Sequence, residues 1–304
     1  MPPVENAAVA ATTARRLQTV AAVVNRASHS VRLGAEKELE ELVAEYGYRS
    51  HLFVISDAGA EQAVKDALAV APDLLVVLAG DGTARLAAEL CGPEGPLLAP
   101  LPGGTMNMLP HALYGVSSWQ DALKSILDHG VERAVGGGVI DGHAFFVAAV
   151  LGSPALWGDA REALRAGRFA EASRRAGLAM RRTFAGRVTY AADGFPERRG
   201  KALALICPIV SRALHEETRL ELAAFDLTHA GEIVRLAVNG FTGDWRDDPA
   251  VSTQVVQRGW ARMRGSLPAM LDGERIRLPR LVDFEFVPYA FRALAPPRAG
   301  VAAL

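Results

Sequence analysis

The sequence predicts a doubly wound α/β domain followed by an antiparallel β-sandwich that carries a helical insertion. Over the first half of the chain, apolar runs of strand length alternate with segments of helical periodicity. Two of these runs end in glycine-rich turns that open into helices. From about residue 133 the pattern changes to short strands separated by polar turns, which is typical of a sandwich.

The strand–helix alternation predicts a mostly parallel sheet, because right-handed crossovers place helices on both of its faces. The run Leu74–Ala79 is apolar throughout, as expected for a strand buried on both sides. The predicted strands are 19–24, 51–56, 74–79 and 97–101, and the predicted helices are 33–46, 60–70, 82–91, 106–114 and 117–129.

The second half reads as a series of short strands. A hairpin is predicted over 139–147 with an Asp-Gly turn, and 155–185 has helical character. Further strands are predicted at 187–191, 200–210, 232–239, 252–257, 261–265, 275–278 and 283–286. We therefore expect a disordered tail over 1–17, an α/β domain over 18–137 and the sandwich over 138–304.

Composition excludes several classes of protein. The formal net charge of −1 gives no general attraction for nucleic acid. No apolar run approaches the ~18–20 residues that span a bilayer, and the first residues lack a signal-peptide pattern, so we expect a cytoplasmic protein. The two cysteines, Cys91 and Cys207, lie in apolar contexts and are predicted to be buried, reduced thiols. A homodimer is compatible with the sequence.

The two glycine-rich turns form the candidate binding site. They comprise Gly80-Asp81-Gly82-Thr83 and Gly103-Gly104-Thr105-Met106-Asn107. Both follow the carboxyl ends of predicted parallel strands, where backbone N–H groups are open to a phosphate. Because a carboxylate repels phosphate, Asp81 needs a Mg²⁺ ion or a water between them, which favours ATP with its metal; the alternative is a helix N-cap.

Neighbouring polar residues extend the candidate site. Thr83 and Thr105 can donate hydroxyls to phosphate or cap their helices, and Asn107 can hold either its own loop or a nucleotide oxygen. Asn25 and Ser28 follow the first predicted strand and are expected to face the same crevice.

Taken together, these motifs resemble those of the diacylglycerol kinase catalytic family, which includes bacterial lipid kinases, sphingosine kinases and ceramide kinases. Gly80-Asp81-Gly82-Thr83 is similar to the family's GGDGT, and the stretch from Pro102 to Asn107 to its P-x-G-T-x-N. Asp272-Gly273-Glu274 matches the family's late D-G-E turn. Asn25-Arg26-Ala27-Ser28 is similar to its opening N-P-x-S-G, and Ser56 falls where relatives often have a nucleotide-contacting Thr.

The resemblance implies an ATP- and Mg²⁺-dependent lipid kinase with a nucleotide-binding first domain and a lipid-binding second domain. The acceptor would be a primary hydroxyl of diacylglycerol or of a ceramide-like lipid. In the family, the D-G-E turn brings a carboxylate to the reacting groups, so Glu274 is the expected proton acceptor, with Asp272 second. Asp81 would organise the metal.

The chain departs from the family pattern at four places. Ala79 replaces the first glycine of GGDGT, and Met108-Leu109-Pro110 replaces an Asp followed by an aromatic residue. The usual acid near Gly136 is absent. The acidic loop that binds a structural metal in some relatives corresponds to 223–232, where Asp226 and Glu232 are the remaining acids, so we expect no such metal site.

Two other functions remain open on the sequence. One is a kinase related to NAD kinases, which share the GDGT motif; the other is a catalytically inactive lipid-binding or regulatory protein, suggested by the missing acid. The segment 155–185 contains seven arginines and three acids. It would either lie on an anionic membrane, making the protein peripherally membrane-associated, or pack its apolar face on the sandwich.

Overall fold

The computed structural model describes residues 17–116, 118–152, 186–211, 218–226, 232 and 245–297. These residues form two compact units, one of 17–134 with 291–297 and one of 135–290. Outside the described residues lie the predicted tail over 1–17 except Leu17, the predicted helical segment 155–185, and the predicted strand 232–239 except Glu232.

The described part of the first unit contains a parallel sheet that includes the first four strands of the chain. These strands are β1 (Thr19–Val24), β2 (Arg49–Val54), β3 (Leu74–Ala79) and β4 (Leu97–Pro102). They lie in the order β2-β1-β3-β4, with Val24 opposite Leu78 and Ala79 opposite Pro102. Every residue of β3 and β4 is buried, which explains their unbroken apolar sequence.

Helices cover both faces of this sheet, which confirms the predicted doubly wound fold. They are α1 (Ala35–Glu45), α2 (Gly59–Ala69), α3 (Asp81–Cys91), α4 (Met108–Tyr114) and α5 (Trp119–His129). The apolar stripes of α1 and α5, with Leu39 and Leu123 fully buried, share one core with the strands. Helices α2 and α3 pack on each other and on the strands.

The second unit is built from antiparallel strands. In chain order the strands after β4 are β5 (Val131–Ile140), β6 (His143–Phe145), β7 (Ala148–Gly152), β8 (Val188–Ala192), β9 (Arg198–Gly200), β10 (Ala202–Ile206), β11 (Leu220–Phe225), β12 (Val251–Val256), β13 (Arg258–Met263), β14 (Leu267–Leu271), β15 (Glu274–Leu278) and β16 (Leu281–Ala295). One sheet has the order β12-β11-β10-β7-β14-β15, and the second contains β5, β6, β16, β13, β8 and β9.

The two sheets of this unit enclose one hydrophobic core. Leu151, Leu205 and Leu271 come from the first sheet, and Phe284 and Ala261 from the second. The burial alternates along β14 and β8, as expected for strands with one face toward a core. The predicted antiparallel sandwich is confirmed.

The last strand differs from the sequence prediction. We predicted a strand at 283–286, but β16 extends to Ala295, and Ala293 lies opposite Leu98 in a parallel pairing with β4. Residues 291–297 therefore belong to the first unit, not to the sandwich as the predicted bounds 138–304 imply. The reason is burial: Phe291 and Ala293 are almost inaccessible to solvent.

Candidate functional site

The first glycine loop lies where the strand order of the first sheet reverses, and the second follows the neighbouring strand β4. The chain passes from β1 to β2 on one side and returns to β3 on the other, so the switch point lies between β1 and β3. Ligands of open α/β sheets bind outside the carboxyl ends of the strands at such a point. The loops that leave these two ends carry Asn25 and Ser28 after β1, and Gly80 to Thr83 after β3.

The two glycine loops approach each other so closely that side chains are excluded between them. A Cβ atom on Gly104 would lie 2.7 Å from Cα of Gly80, and one on Gly103 would lie 2.8 Å from the backbone nitrogen of Ala79. At Gly80, by contrast, the nearest atom to a Cβ would be 3.9 Å away. Close packing therefore requires glycine, which lacks a Cβ atom, at positions 103 and 104. It does not require glycine at position 80.

The carboxylate of Asp81 joins the two loops. Its two oxygens accept hydrogen bonds from the backbone N–H groups of Asn107, at 2.9 Å, and Met108, at 2.6 Å. These groups lie at the start of α4. The N-cap residue of this helix, Asn107, makes no capping hydrogen bond to the helix with its own side chain. Asp81, from a different loop, thus does for α4 what an N-cap side chain usually does.

Asn107 holds its own loop. Its Oδ1 accepts from the Gly104 N–H at 2.7 Å, and its Nδ2 donates to the Gly104 carbonyl at 3.2 Å. The residue is buried and has a φ of 50°, a left-handed conformation that asparagine tolerates better than most residues. Of the two roles that the sequence left open for Asn107, the structure shows the one within the loop.

Ser30 is a site residue that the sequence analysis missed. Its hydroxyl donates to the Gly104 carbonyl at 2.7 Å, and its N–H donates to the Gly103 carbonyl at 3.0 Å. Because β3 lies between β1 and β4, the loop after β1 must pass over the carboxyl end of β3 to make these bonds. No local pattern marks Ser30, since its partners lie 73 and 74 residues further along the chain.

The other predicted binding residues differ in their exposure and in their position relative to the end of β3. Thr83 is half-buried in the first turn of α3, and Thr105 is exposed. Asn25 closes a turn by accepting from the Ala27 N–H at 3.0 Å. Ser56 lies two residues beyond β2, the edge strand, and so about 10 Å from the end of β3 at ordinary strand spacing.

The donor set fits a phosphate with its Mg²⁺ ion. Helix α3 begins at Asp81 with no side-chain cap, and its N-terminal end is favourable for an anion. A carboxylate has about four lone-pair sites, so the N–H bonds from Asn107 and Met108 do not by themselves prevent Asp81 from binding a metal or its waters. Within the described residues no group of three or more Asp, Glu, His or Cys side chains forms a metal cluster, so Asp81 would act with phosphate and water as the other ligands.

Asp272 and Glu274 occupy contrasting environments in the second unit. The Asp272 carboxylate is buried and accepts three backbone N–H bonds, from Phe146 at 2.7 Å, Val147 at 2.8 Å and Ala148 at 2.9 Å. Its own N–H donates to the Ala148 carbonyl at 2.9 Å. These bonds fasten the β14–β15 turn to the connection between β6 and β7.

Glu274, by contrast, is exposed at the first position of β15. By strand alternation it shares a face with Ile276 and Leu278, which pack on the core of the sandwich. Its carboxylate therefore lies at the rim of the apolar interior. The backbone of the turn itself is the Asp-Gly type, with φ values of 47° at Asp272 and 86° at Gly273.

Packing explains why the chain has no acidic residue near Gly136. A Cβ on Gly136 would lie 2.7 Å from the Phe286 ring, and a Cβ on Gly138 would lie 2.1 Å from the Phe145 ring. Aromatic side chains fill the space that an aspartate would need. Any metal chemistry of this chain must therefore do without an acid at this point of β5.

Both cysteines are buried and free, as predicted. Burial raises the pKa of the Cys91 thiol to about 12. Burial, and then the neighbouring Asp272 carboxylate, raises the pKa of the Cys207 thiol. Both groups are therefore protonated and unreactive in the folded protein.

Comparisons with known proteins relate the fold and the glycine loops to the diacylglycerol kinase catalytic domain. Residues 19–138 match the family model of the diacylglycerol kinase catalytic domain. The match covers the loops after β1, β3 and β4, and so includes both glycine loops but not the Asp272-Gly273-Glu274 turn. No curated protein sequence matches the chain.

Solved structures share the fold over both units. A candidate diacylglycerol kinase from Bacillus anthracis strain Sterne is 18% identical, with a TM-score of 0.71 over 93% of this chain and 98% of its own. A diacylglycerol kinase from the same strain is 15% identical, with a TM-score of 0.65 over 92% and 97%. At these identities the likeness shows the fold.

Substitution of Gly104 and of Gly80 should distinguish a glycine that the fold requires from a glycine that ligand binding requires. We expect Gly104→Ala to lower the free energy of unfolding by about 1–3 kcal/mol, because its Cβ meets the Gly80 backbone. We expect Gly80→Ala to keep wild-type stability but to weaken ATP binding about tenfold, by holding the backbone away from phosphate. Thermal unfolding and calorimetric titration with ATP check both; equal effects of the two variants on stability would contradict the packing argument.

Proposed function

We propose that this protein is an ATP- and Mg²⁺-dependent lipid kinase that phosphorylates a primary hydroxyl of diacylglycerol or of a ceramide-like lipid. The observation that carries the proposal is the pair of interlocked glycine loops at and beside the switch point, which lie within the matched catalytic domain. An apolar sandwich with an exposed carboxylate at its rim supports a lipid as the acceptor.

Each loop has a distinct part in the proposed reaction. Backbone N–H groups at the start of α3 would bind the phosphates, and Asp81 would hold Mg²⁺ while its carboxylate keeps α4 in place. Bound Mg²⁺ neutralises charge on the transferring phosphoryl group. Asn107 and Ser30 fix the backbone of Gly104, so that little ordering is needed when ATP binds.

Glu274 is the proposed proton acceptor. The transition state of phosphoryl transfer is loose, so the acceptor hydroxyl gives up its proton late and its orientation matters more than the basicity of the carboxylate. An exposed carboxylate is free to accept that proton. Asp272 already accepts three N–H bonds, and we propose that it fixes the turn that presents Glu274.

Transfer of labelled γ-phosphate from ATP tests the function. Wild-type protein is incubated with Mg²⁺ and, in separate reactions, detergent-dispersed diacylglycerol, ceramide, sphingosine, a polyprenol and NAD⁺. Label in one lipid, absent in Asp81→Ala and Glu274→Ala, is the expected result. Label in NAD⁺ alone would replace the lipid acceptor with a nucleotide, and ATP binding without transfer would favour an inactive regulatory protein.

A further inference from the structure

One end of the sandwich has a basic surface formed by residues at or next to the ends of several strands. The strand β13 ends at Met263, β15 ends at Leu278, β16 begins at Leu281 and β8 begins at Val188. The register places these points together: Met263 lies opposite Val188, and Arg262 lies opposite Leu281. The Met263 N–H also donates to the Arg280 carbonyl, which ties the two connections between the sheets to each other.

Exposed arginines cluster at this end. We call the group Arg187, Arg264, Arg277, Arg280 and Leu281 the basic end. All five side chains are exposed, and Leu281 is an apolar side chain that is 57% accessible among them. Of the nearby acids in the described residues, Glu197 is engaged by Arg262 and Asp283 lies two residues further along β16.

We propose that the basic end docks the protein on an anionic lipid surface. Each arginine close to such a surface strengthens binding, and one exposed apolar side chain between arginines is suited to the headgroup region. The inference rests on the proposed lipid acceptor only for the choice of partner.

Two further observations favour a membrane as the partner. The chain leaves β7 at Gly152 and re-enters β8 at Val188, both at this end of the sandwich, and residues 155–185 of the sequence between them contain seven arginines and three acids. Glu274 lies at the other end of the β14–β15 hairpin, about 13 Å from Leu278 at the usual rise per residue. This distance is close to the depth of one bilayer leaflet, roughly 15 Å, and so to the length of a lipid tail.

Vesicle co-sedimentation without ATP tests the proposal. Wild-type protein is compared with Arg264→Gln/Arg277→Gln/Arg280→Gln on phosphatidylcholine vesicles with and without phosphatidylserine. Because each arginine strengthens binding about fivefold, we expect the triple variant to bind phosphatidylserine vesicles about 100-fold more weakly. We also expect wild-type binding to weaken as salt is raised.

A matched variant controls for the change in net charge. Lys124→Gln/Arg49→Gln/Arg219→Gln removes the same charge from exposed positions outside the basic end and should bind vesicles as wild type does. Equal loss in both triple variants, or no loss in the first, would overturn the proposal. So would tighter binding of wild type to a single-stranded oligonucleotide than to the vesicles. Since binding is measured without turnover, a failed kinase assay would count against the proposed function and leave this result standing.

Discussion

Glu274→Gln is expected to slow phosphoryl transfer to the lipid about 10²–10⁴-fold, the range for loss of a general base. Because the side chain is exposed, the free energy of unfolding should stay within about 0.5 kcal/mol of wild type. Calorimetric ATP binding should also be unchanged, since the nucleotide loops are untouched. The measurement is initial-rate transfer of labelled phosphate, with thermal unfolding in parallel.

Two further variants sharpen this result. Glu274→Asp keeps the charge on a shorter side chain, and should recover part of the lost rate if the carboxylate must reach the acceptor. Glu285→Gln removes another exposed carboxylate, from β16, and should leave the rate unchanged. A Glu274→Gln enzyme that transfers phosphate at the wild-type rate would remove Glu274 from the mechanism.

Asp272→Asn is expected to act on stability. Of the two carboxylate oxygens, one accepts from Phe146 and the other from Val147 and Ala148, so an amide must turn an NH₂ group toward at least one of these donors. The site is buried, and the unpaired N–H groups should lower the free energy of unfolding by about 2–4 kcal/mol. Chemical denaturation measures the change.

The chain supplies a matched control and a local probe for this variant. Asp141-Gly142 forms the same left-handed turn, with φ values of 49° and 80°, but Asp141 is exposed, so Asp141→Asn should be nearly neutral. Cys207 is inaccessible beside Asp272. In a Cys91→Ser background, a thiol reagent should label Cys207 faster in Asp272→Asn than in wild type. Unchanged stability and labelling would show that the three bonds contribute little.

The comparison of Asp272 with Glu274 shows the limit of motif reading. The sequence places two acids two residues apart in a tight turn and marks both as catalytic candidates. Burial and three backbone bonds distinguish them, and the donors lie 124 to 126 residues earlier in the chain. Asp81 is similar, because its bonds to the start of α4 connect loops 26 and 27 residues apart.

The sequence by itself determined the fold class, the two glycine loops at the ends of buried strands and the resemblance to a kinase family. These features are encoded locally, in apolar periodicity and in turn chemistry. Tertiary structure alone decided that Ser30 and Asn107 hold Gly104, that phenylalanine rings exclude an acid at Gly136, and that β16 returns to the first unit. Each of these depends on atoms that meet only after distant segments have packed, and no periodicity within one segment records them.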